Sequence, residues 1–178
     1  MRLFVAVDVP EVEVAGVRLG GPDSPAHLTI LFLGEVPAEL APSLAEEFSR
    51  SVHDLPSFPL VLQDVGAFPD PARPRVVWIG VGEGARGLSL AHAALAKVAR
   101  AKGIPVEDRP FVAHLTLRRV RGPADVEQAR RWLVELRGRE FGRTEVRELL
   151  LKESLLGRGP VVHRTIARLP LAGSPPVG

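Results

Sequence analysis

Short apolar runs alternate with amphipathic stretches along the chain, which predicts a mixture of strands and helices. Apolar residues that recur at three- and four-residue spacing predict helices over 37–53, 85–102 and 123–137. Runs rich in β-branched and aliphatic residues predict strands over 3–9, 26–34, 58–65, 75–81, 111–120, 145–153 and 161–169. The segment 11–26, with its glycine- and proline-rich loop 20–25, is expected to be irregular, and the tail 170–178 to be frayed.

One four-residue pattern occurs in two of these strands, as His27-Leu28-Thr29-Ile30 and as His114-Leu115-Thr116-Leu117. Side chains alternate between the two faces of a strand. Each copy therefore places its histidine and threonine on one face and its two apolar residues on the other. The pattern predicts one buried face and one face that presents an imidazole and a hydroxyl.

The elements around the two motifs follow a similar order, since each motif strand precedes a helix and then two strands. This internal repetition predicts an α+β fold of two pseudo-symmetric lobes with a cleft between them. Each lobe is expected to contain an antiparallel sheet flanked by helices, with its motif on a central strand. We expect residues 1–178 to form a single bilobal domain.

The composition is that of an ordinary globular protein, with 46% hydrophobic and 25% charged residues among 178. No apolar run approaches the roughly 20 residues of a membrane span, and the first residues do not resemble a signal peptide. The chain has no cysteine, which excludes disulfide and thiolate chemistry. We expect a cytoplasmic monomer without a membrane association. The net charge of +2 does not by itself identify a partner.

Two histidines suit a reaction in which one proton is taken and another is given near neutral pH. A hydroxyl beside each imidazole can donate to a phosphate oxygen, although threonine is also simply a favourable strand residue. A single strand histidine is more often structural, whereas a matched pair favours a catalytic role. Zinc sites need three or four ligands, and the chain has neither that spacing nor an HExxH helix. It also lacks the GxSxG elbow of a serine hydrolase.

Other polar residues near the motifs are candidates for substrate binding. Strict strand alternation places Arg118 on the face of His114, while a bulge would place Arg119 there instead. His163, in the last predicted strand, could flank the cleft. His53, at a helix end, and His92, on a helix face, are expected to be structural.

These features resemble those of the bacterial and archaeal 2′-5′ RNA ligase-like proteins, also described as RNA 2′,3′-cyclic phosphodiesterases, of the two-histidine phosphoesterase superfamily. The resemblance covers nearly the whole chain and includes segments that flank the motifs. These segments are residues 2–7 (RLFVAV), 31–36 (LFLGEV), 66–69 (GAFP), 74–78 (PRVVW), 108–111 (DRPF) and 167–171 (ARLPL).

The resemblance implies a bilobal α+β fold and hydrolysis of a 2′,3′-cyclic phosphate at an RNA end to a 2′-phosphate. It implies that His27 is the proton donor to the departing 3′ oxygen and His114 the proton acceptor from water. Thr29 and Thr116 would hold the phosphate oxygens, and Phe32 is a further substrate-binding candidate. The implied partners are RNA termini or small cyclic nucleotides, with no metal and no cofactor. Ligation of 2′-5′ linked ends would be the reverse reaction.

The chain departs from the resembled family at two places. The loop 20–25 is short where relatives often carry a longer segment containing tryptophan, and His163 replaces a frequent tyrosine. Both departures concern substrate preference rather than the chemistry of the motifs. Two other functions stay open at this point. One is a non-catalytic RNA or nucleotide-binding module that uses the same cleft, and the other is a related phosphoesterase with a different phosphodiester substrate.

Overall fold

A computed structural model describes residues 1–21, 25–155 and 161–173 of the chain. The described part contains three α-helices, α1 (Ala41–Val52), α2 (Ala85–Ala101) and α3 (Pro123–Glu135), and a short 3₁₀ turn at Ala38–Leu40. Its strands are β1 (Arg2–Val9), β2 (Val12–Val14), β3 (Val17–Leu19), β4 (Ala26–Glu35), β5 (Phe58–Phe68), β6 (Val76–Val81), β7 (Leu115–Arg119), β8 (Glu140–Val146), β9 (Glu148–Leu155) and β10 (Val162–Pro170).

The strands form two four-stranded antiparallel sheets, with the orders β10-β9-β1-β4 and β7-β6-β5-β8, and the separate hairpin β2-β3. The predicted α+β fold of two lobes with antiparallel sheets is therefore confirmed. The motif strands β4 and β7 are edge strands, so their predicted central position is wrong. The central places belong to β9 and β1 in the first sheet and to β6 and β5 in the second, each of which pairs with a neighbour on both sides. The two motif edges approach each other where the lobes meet.

The chain crosses between the lobes more often than the sequence pattern indicates. Both α1 and α2 pack on the first sheet, whereas α3 packs against β5 of the second. The strands β9 and β10 return to the first sheet beside β1. The predicted strand 145–153 is in fact the end of β8 and most of β9, which belong to different sheets and are separated at Arg147.

Four further features differ from the prediction. The segment expected to be irregular contains the hairpin β2-β3, and β5 extends three residues beyond its predicted end at 65, to Phe68. The second motif strand begins only at Leu115, so His114 directly precedes it. The expected frayed tail is ordered at its start, where Ala172 forms a bridge with Pro56, while residues 174–178 lie outside the described part. Residues 22–24 of the predicted loop also lie outside it.

The apolar residues of both motifs anchor the motif strands in the hydrophobic core. Leu28, Ile30, Leu115 and Leu117 are each at most 5% exposed. Fully burying such a side chain typically contributes about 1.5–3 kcal/mol, so a register slip of either strand is strongly disfavoured. The predicted alternation of the motif residues is therefore confirmed, with the histidine and threonine on the opposite face. Among the described residues, no helix is long and apolar enough to cross a membrane.

A glycine under an indole ring shapes the second sheet near its motif. A Cβ atom built on Gly66 would overlap the Cη2 and Cζ2 atoms of Trp78, so the ring would have to move. The ring packs beside Phe68, at 5.2 Å between centroids, and beside His114, at 6.2 Å. The absence of a side chain on Gly66 thus lets the indole of Trp78 pack against β5 beside His114.

We expect Gly66→Ala to lower the free energy of unfolding by about 1–3 kcal/mol, because the added methyl group displaces the indole ring. Chemical denaturation with tryptophan fluorescence measures this loss. Gly142→Ala is the matched control, since it adds the same methyl group to the same sheet at ordinary contact distances of 3.5 and 3.9 Å. Equal stability of the two variants would contradict the proposed role of Gly66.

Candidate active site

The two motif strands border one cleft of about 820 Å³ between the lobes. His27 and Thr29 line it from β4, and His114 and Thr116 line it from the opposite lobe. Sequence reasoning nominated these four residues, and the fold brings them to one cavity. The arrangement presents an imidazole and a hydroxyl from each of two walls. A ligand in the cleft can therefore meet a proton-transfer group on either side.

Each motif strand carries a bulge directly after its threonine. Thr29 pairs with Ala6 and Leu31 with Val5, which leaves Ile30 without a partner on β1. In the second sheet Thr116 pairs with Trp78 and Arg118 with Val77, which leaves Leu117 in the equivalent position. The extra residue shifts the phase of the side chains that follow.

The shift determines which residues beyond the motifs reach the cleft. Phe32 and Arg119, each three positions after a motif threonine, both line it. They are structural counterparts in the two lobes, one supplying an aromatic ring and the other a cation. The bulge thus places Arg119 in the cleft rather than Arg118.

Arg118 points elsewhere, so its placement by strict alternation is wrong. Its guanidinium lies 3.3 Å from the Asp125 carboxylate of α3 and 6.0 Å from the centroid of the Trp132 ring. These contacts connect β7 to α3. We therefore assign Arg118 to the packing of that helix and not to the cleft.

His27 lies in a crowded environment on the first lobe. The centroid of its ring lies 5.3 Å from that of Phe4 and 4.8 Å, edge to face, from that of His163. Burial lowers the pKa of His27 below its ordinary value, the neighbouring charge of His163 lowers it further, and a hydrogen bond to the Pro25 backbone opposes both. Two further charges have smaller effects, since Lys152 lowers the pKa of His27 and Asp8 raises it. The lowered pKa therefore favours the neutral imidazole of His27 at neutral pH.

His163 also lines the cleft, as the sequence predicted, and it contacts His27 directly. Its Nδ1 lies 3.3 Å from the Ser154 hydroxyl, and its ring packs edge-on against Phe4 at 5.0 Å. Burial and the Lys152 charge lower the pKa of His163, and Asp8 raises it. Two imidazoles in contact thus share one set of charged neighbours.

A buried ion pair supplies those charges from the sheet beneath. The Lys152 ammonium lies 2.8 Å and 2.9 Å from the two carboxylate oxygens of Asp8, and its side chain is only 4% exposed. Asp8 is the cross-strand partner of His27. A positive and a negative charge therefore both lie close to His27, and their effects on its pKa oppose each other.

His114 has a different environment on the second lobe. Its Nδ1 lies 2.8 Å from the Val112 carbonyl oxygen. A carbonyl only accepts, so Nδ1 carries the hydrogen and Nε2 of the neutral ring keeps a lone pair. Phe68 packs edge-on against the ring at 4.9 Å between centroids. This geometry leaves one nitrogen of His114 available to take a proton.

Several cleft residues escaped the sequence analysis. Phe4, Arg2 and Ser154 line the cleft, and Phe68 and Trp78 contact His114. All of these residues except Ser154 lie in the segments that carry the family resemblance. That resemblance was the only sequence signal for them, because their residue types and spacing are the same as those of ordinary strand residues. His53 is exposed at the C-terminal end of α1, as expected. Within residues 1–21, 25–155 and 161–173, no three His, Asp or Glu side chains are placed to share a metal ion.

Known proteins share both the sequence and the fold that build this cleft. The chain is 37% identical over 177 residues to the RNA 2′,3′-cyclic phosphodiesterase of Archaeoglobus fulgidus, covering 90% of this chain and 96% of that protein. It is 33% identical over 152 residues to the enzyme of the same name from Aeropyrum pernix, covering 85% of each. Among solved structures, E. coli LigT complexed with 3′-AMP superposes with a TM-score of 0.69 at 29% identity, covering 96% of this chain and 98% of LigT.

A second similar structure is that of a protein from Thermus thermophilus, with a TM-score of 0.73 at 26% identity over 97% of this chain and 99% of that one. The profile of the 2′-5′ RNA ligase superfamily matches residues 13–158, which include both motifs. The chain therefore belongs to the 2′-5′ RNA ligase superfamily.

Proposed function

We propose that this protein hydrolyses the 2′,3′-cyclic phosphate at RNA ends and leaves a 2′-phosphate. The observation that carries the proposal is the placement of two His-x-Thr motifs on facing edges of one cleft. The Archaeoglobus fulgidus and Aeropyrum pernix relatives are named RNA 2′,3′-cyclic phosphodiesterases, which supports the same activity here.

In this mechanism His114 is the general base. Its Nδ1 donates to the Val112 carbonyl and its Nε2 takes a proton from water. The water oxygen forms a bond to phosphorus as the bond between phosphorus and the 3′ oxygen breaks. The proton acceptor and the departing oxygen lie on opposite sides of the phosphorus atom, which suits catalytic groups on opposite walls of a cleft.

His27 is the general acid, and its imidazolium gives a proton to the departing 3′ oxygen. Its lowered pKa makes it a stronger proton donor once it is protonated. An anionic phosphodiester beside the ring favours the charged form. Substrate binding therefore prepares His27 for its role, and the reaction ends with a 2′-phosphate and a free 3′-hydroxyl.

The hydroxyls of Thr29 and Thr116 donate hydrogen bonds to the non-bridging oxygens, where negative charge increases in the transition state. Arg119 adds a cation on the same wall as His114. Phe32, at 66% exposed, offers a ring on which a base can stack. His163 borders the same space. These contacts suit the terminal nucleotide of an RNA or a small cyclic nucleotide.

The same cleft would catalyse the reverse reaction, in which a 2′-5′ linkage forms between RNA ends. Both motifs belong to one chain, which supports activity as a monomer. No step in this scheme uses a metal or a cofactor. The cytoplasmic location stays a prediction.

A non-catalytic binding module is not favoured, because binding alone does not need an acid and a base on opposite walls.

We expect the wild-type protein to convert a nucleoside 2′,3′-cyclic phosphate to the 2′-phosphate in the presence of EDTA. His27→Ala and His114→Ala should each lower kcat/KM by about 10²–10⁴-fold, because each removes one proton transfer.

Phosphorus NMR of the products measures both rate and regiochemistry. Oligonucleotide binding without turnover of the wild type would support the binding module instead. A 3′-phosphate product would reverse the assignment of the departing oxygen, and loss of activity in EDTA would contradict the metal-free mechanism.

Variants of the neighbouring residues Arg119 and Arg118 form a matched pair that tests whether the bulge places Arg119, and not Arg118, in the cleft. We expect Arg119→Gln to lower kcat/KM about tenfold or more, because the phosphate loses a charged hydrogen-bond donor. Arg118→Gln, which removes the pair with Asp125 outside the cleft, should leave kcat/KM within about twofold. Steady-state kinetics on a cyclic nucleotide distinguishes the two, and a larger loss in the Arg118 variant would overturn the assignment.

His163→Gln should raise the pKa of His27 towards its ordinary value, because the charge that His163 contributes lowers it. The imidazolium of His27 then persists to higher pH, so the alkaline limb of kcat/KM should move to higher pH. NMR titration of the His27 ring with a pH–rate profile measures both shifts. His53→Gln removes an exposed histidine at the end of α1 and is the control. A His27 pKa that falls or stays constant in the His163 variant contradicts the coupling.

A further inference from the structure

His92 of α2 makes a specific contact with the first motif strand. Its Nδ1 lies 2.8 Å from the carbonyl oxygen of Ile30. Since a carbonyl carries no proton, Nδ1 carries the hydrogen and donates it. The side chain is half-buried and lies 62 positions away from Ile30 along the chain, so the bond is a tertiary contact.

The acceptor is the residue at which the first motif strand bulges. Ile30 is the extra residue between Thr29 and Leu31, without a partner on β1. Its bulge sets the phase that places Thr29 and Phe32 on the cleft side. A bulge on an edge strand has a neighbour on one side only, and the donor from α2 supplies a contact that the sheet does not.

The same imidazole ring also contacts the chain that leads to the second motif. It stacks on Phe111 with 4.5 Å between ring centroids and 7° between ring planes. Phe111 lies three residues before His114, and the next residue, Val112, accepts the hydrogen bond from Nδ1 of His114. Residues 104–114 form no helix or strand, so no regular ladder of backbone hydrogen bonds holds this segment in place.

We propose that His92 is a positioning residue that ties the two His-x-Thr motifs together. The hydrogen bond from Nδ1 of His92 holds the bulge after Thr29, and the stacking of the same ring on Phe111 holds the segment before His114. It thereby holds the acid wall and the base wall at the spacing that in-line displacement requires. The inference rests on the proposed function, because it assigns His92 to the alignment of that acid and base.

Misalignment of reacting groups by about 1 Å can cost on the order of 100-fold in rate, so a clamp of this kind affects kcat more than substrate binding. A histidine that only fills space would behave differently. Its replacement would lower stability, but the folded fraction would turn over at the wild-type rate. The separation of kcat from KM and from stability therefore distinguishes the two roles.

Two substitutions separate the two contacts of the ring. His92→Phe keeps an aromatic face for Phe111 but lacks the donor to Ile30. His92→Asn keeps a donor near the position of Nδ1 but lacks the ring. We expect each to lower kcat by about tenfold or more on a nucleoside 2′,3′-cyclic phosphate, with KM within about threefold, at a temperature where the protein is folded.

The control is Phe48→Leu, which removes buried volume from α1, the neighbouring helix. It should lower the unfolding temperature without lowering kcat. Values of kcat for both His92 variants within twofold of the wild type, or a loss that Phe48→Leu reproduces at equal stability, would overturn the proposal.

NMR of the folded variants provides a readout that does not depend on turnover. The backbone amide of Leu31 shares a peptide bond with the Ile30 carbonyl, so its chemical shift should change in His92→Phe. The chemical shifts of the His114 ring should change in His92→Asn. If the wild type itself fails to hydrolyse the cyclic phosphate, the proposed function fails, and these signals still decide whether His92 holds both motifs. Unchanged signals in both variants would contradict the clamp.

Discussion

The candidate active site depends on how each motif strand pairs with a single neighbour. Within the described part of the chain, β4 pairs only with β1 and β7 only with β6, and these two edge strands contact each other where the lobes meet. Buried leucine and isoleucine residues at alternate positions hold the strands in register, and this burial directs the histidine and threonine outward. The bulge after each threonine then turns Phe32 and Arg119 towards the cleft. Two edge strands with the same irregularity thus produce one site with two different walls.

The two walls differ in their electrostatics, which suits the two histidines to the different roles proposed for them. His27 lies over a buried Asp8–Lys152 pair and against His163, and burial lowers its pKa. His114 directly precedes β7, and a backbone carbonyl fixes the hydrogen on its Nδ1. These surroundings support the proposal that His27 is the proton donor and that His114, with its fixed tautomer, is the base. The asymmetry arises from the surroundings, because the motifs themselves are nearly identical.

Much of this arrangement can be predicted from the sequence because strand alternation is local. His27, Thr29, His114 and Thr116 follow from it, as do the buried partners between them. The positions of Arg118 and Arg119 do not, since a bulge is decided by pairing with β6. The edge position of β4 and β7 and the return of β9 and β10 to the first sheet are also long-range features. The contact from His92 to Ile30 spans 62 positions and leaves no periodic signal.

The central claim is that His27 and His114 act together on one phosphate in one transition state. The most direct test compares kcat/KM on a nucleoside 2′,3′-cyclic phosphate for His27→Ala, His114→Ala and the double variant. Residues that act as a unit are strongly non-additive, so the double variant should lose about as much activity as the poorer single variant. Losses that multiply would show that the two histidines contribute independently, and would contradict the account.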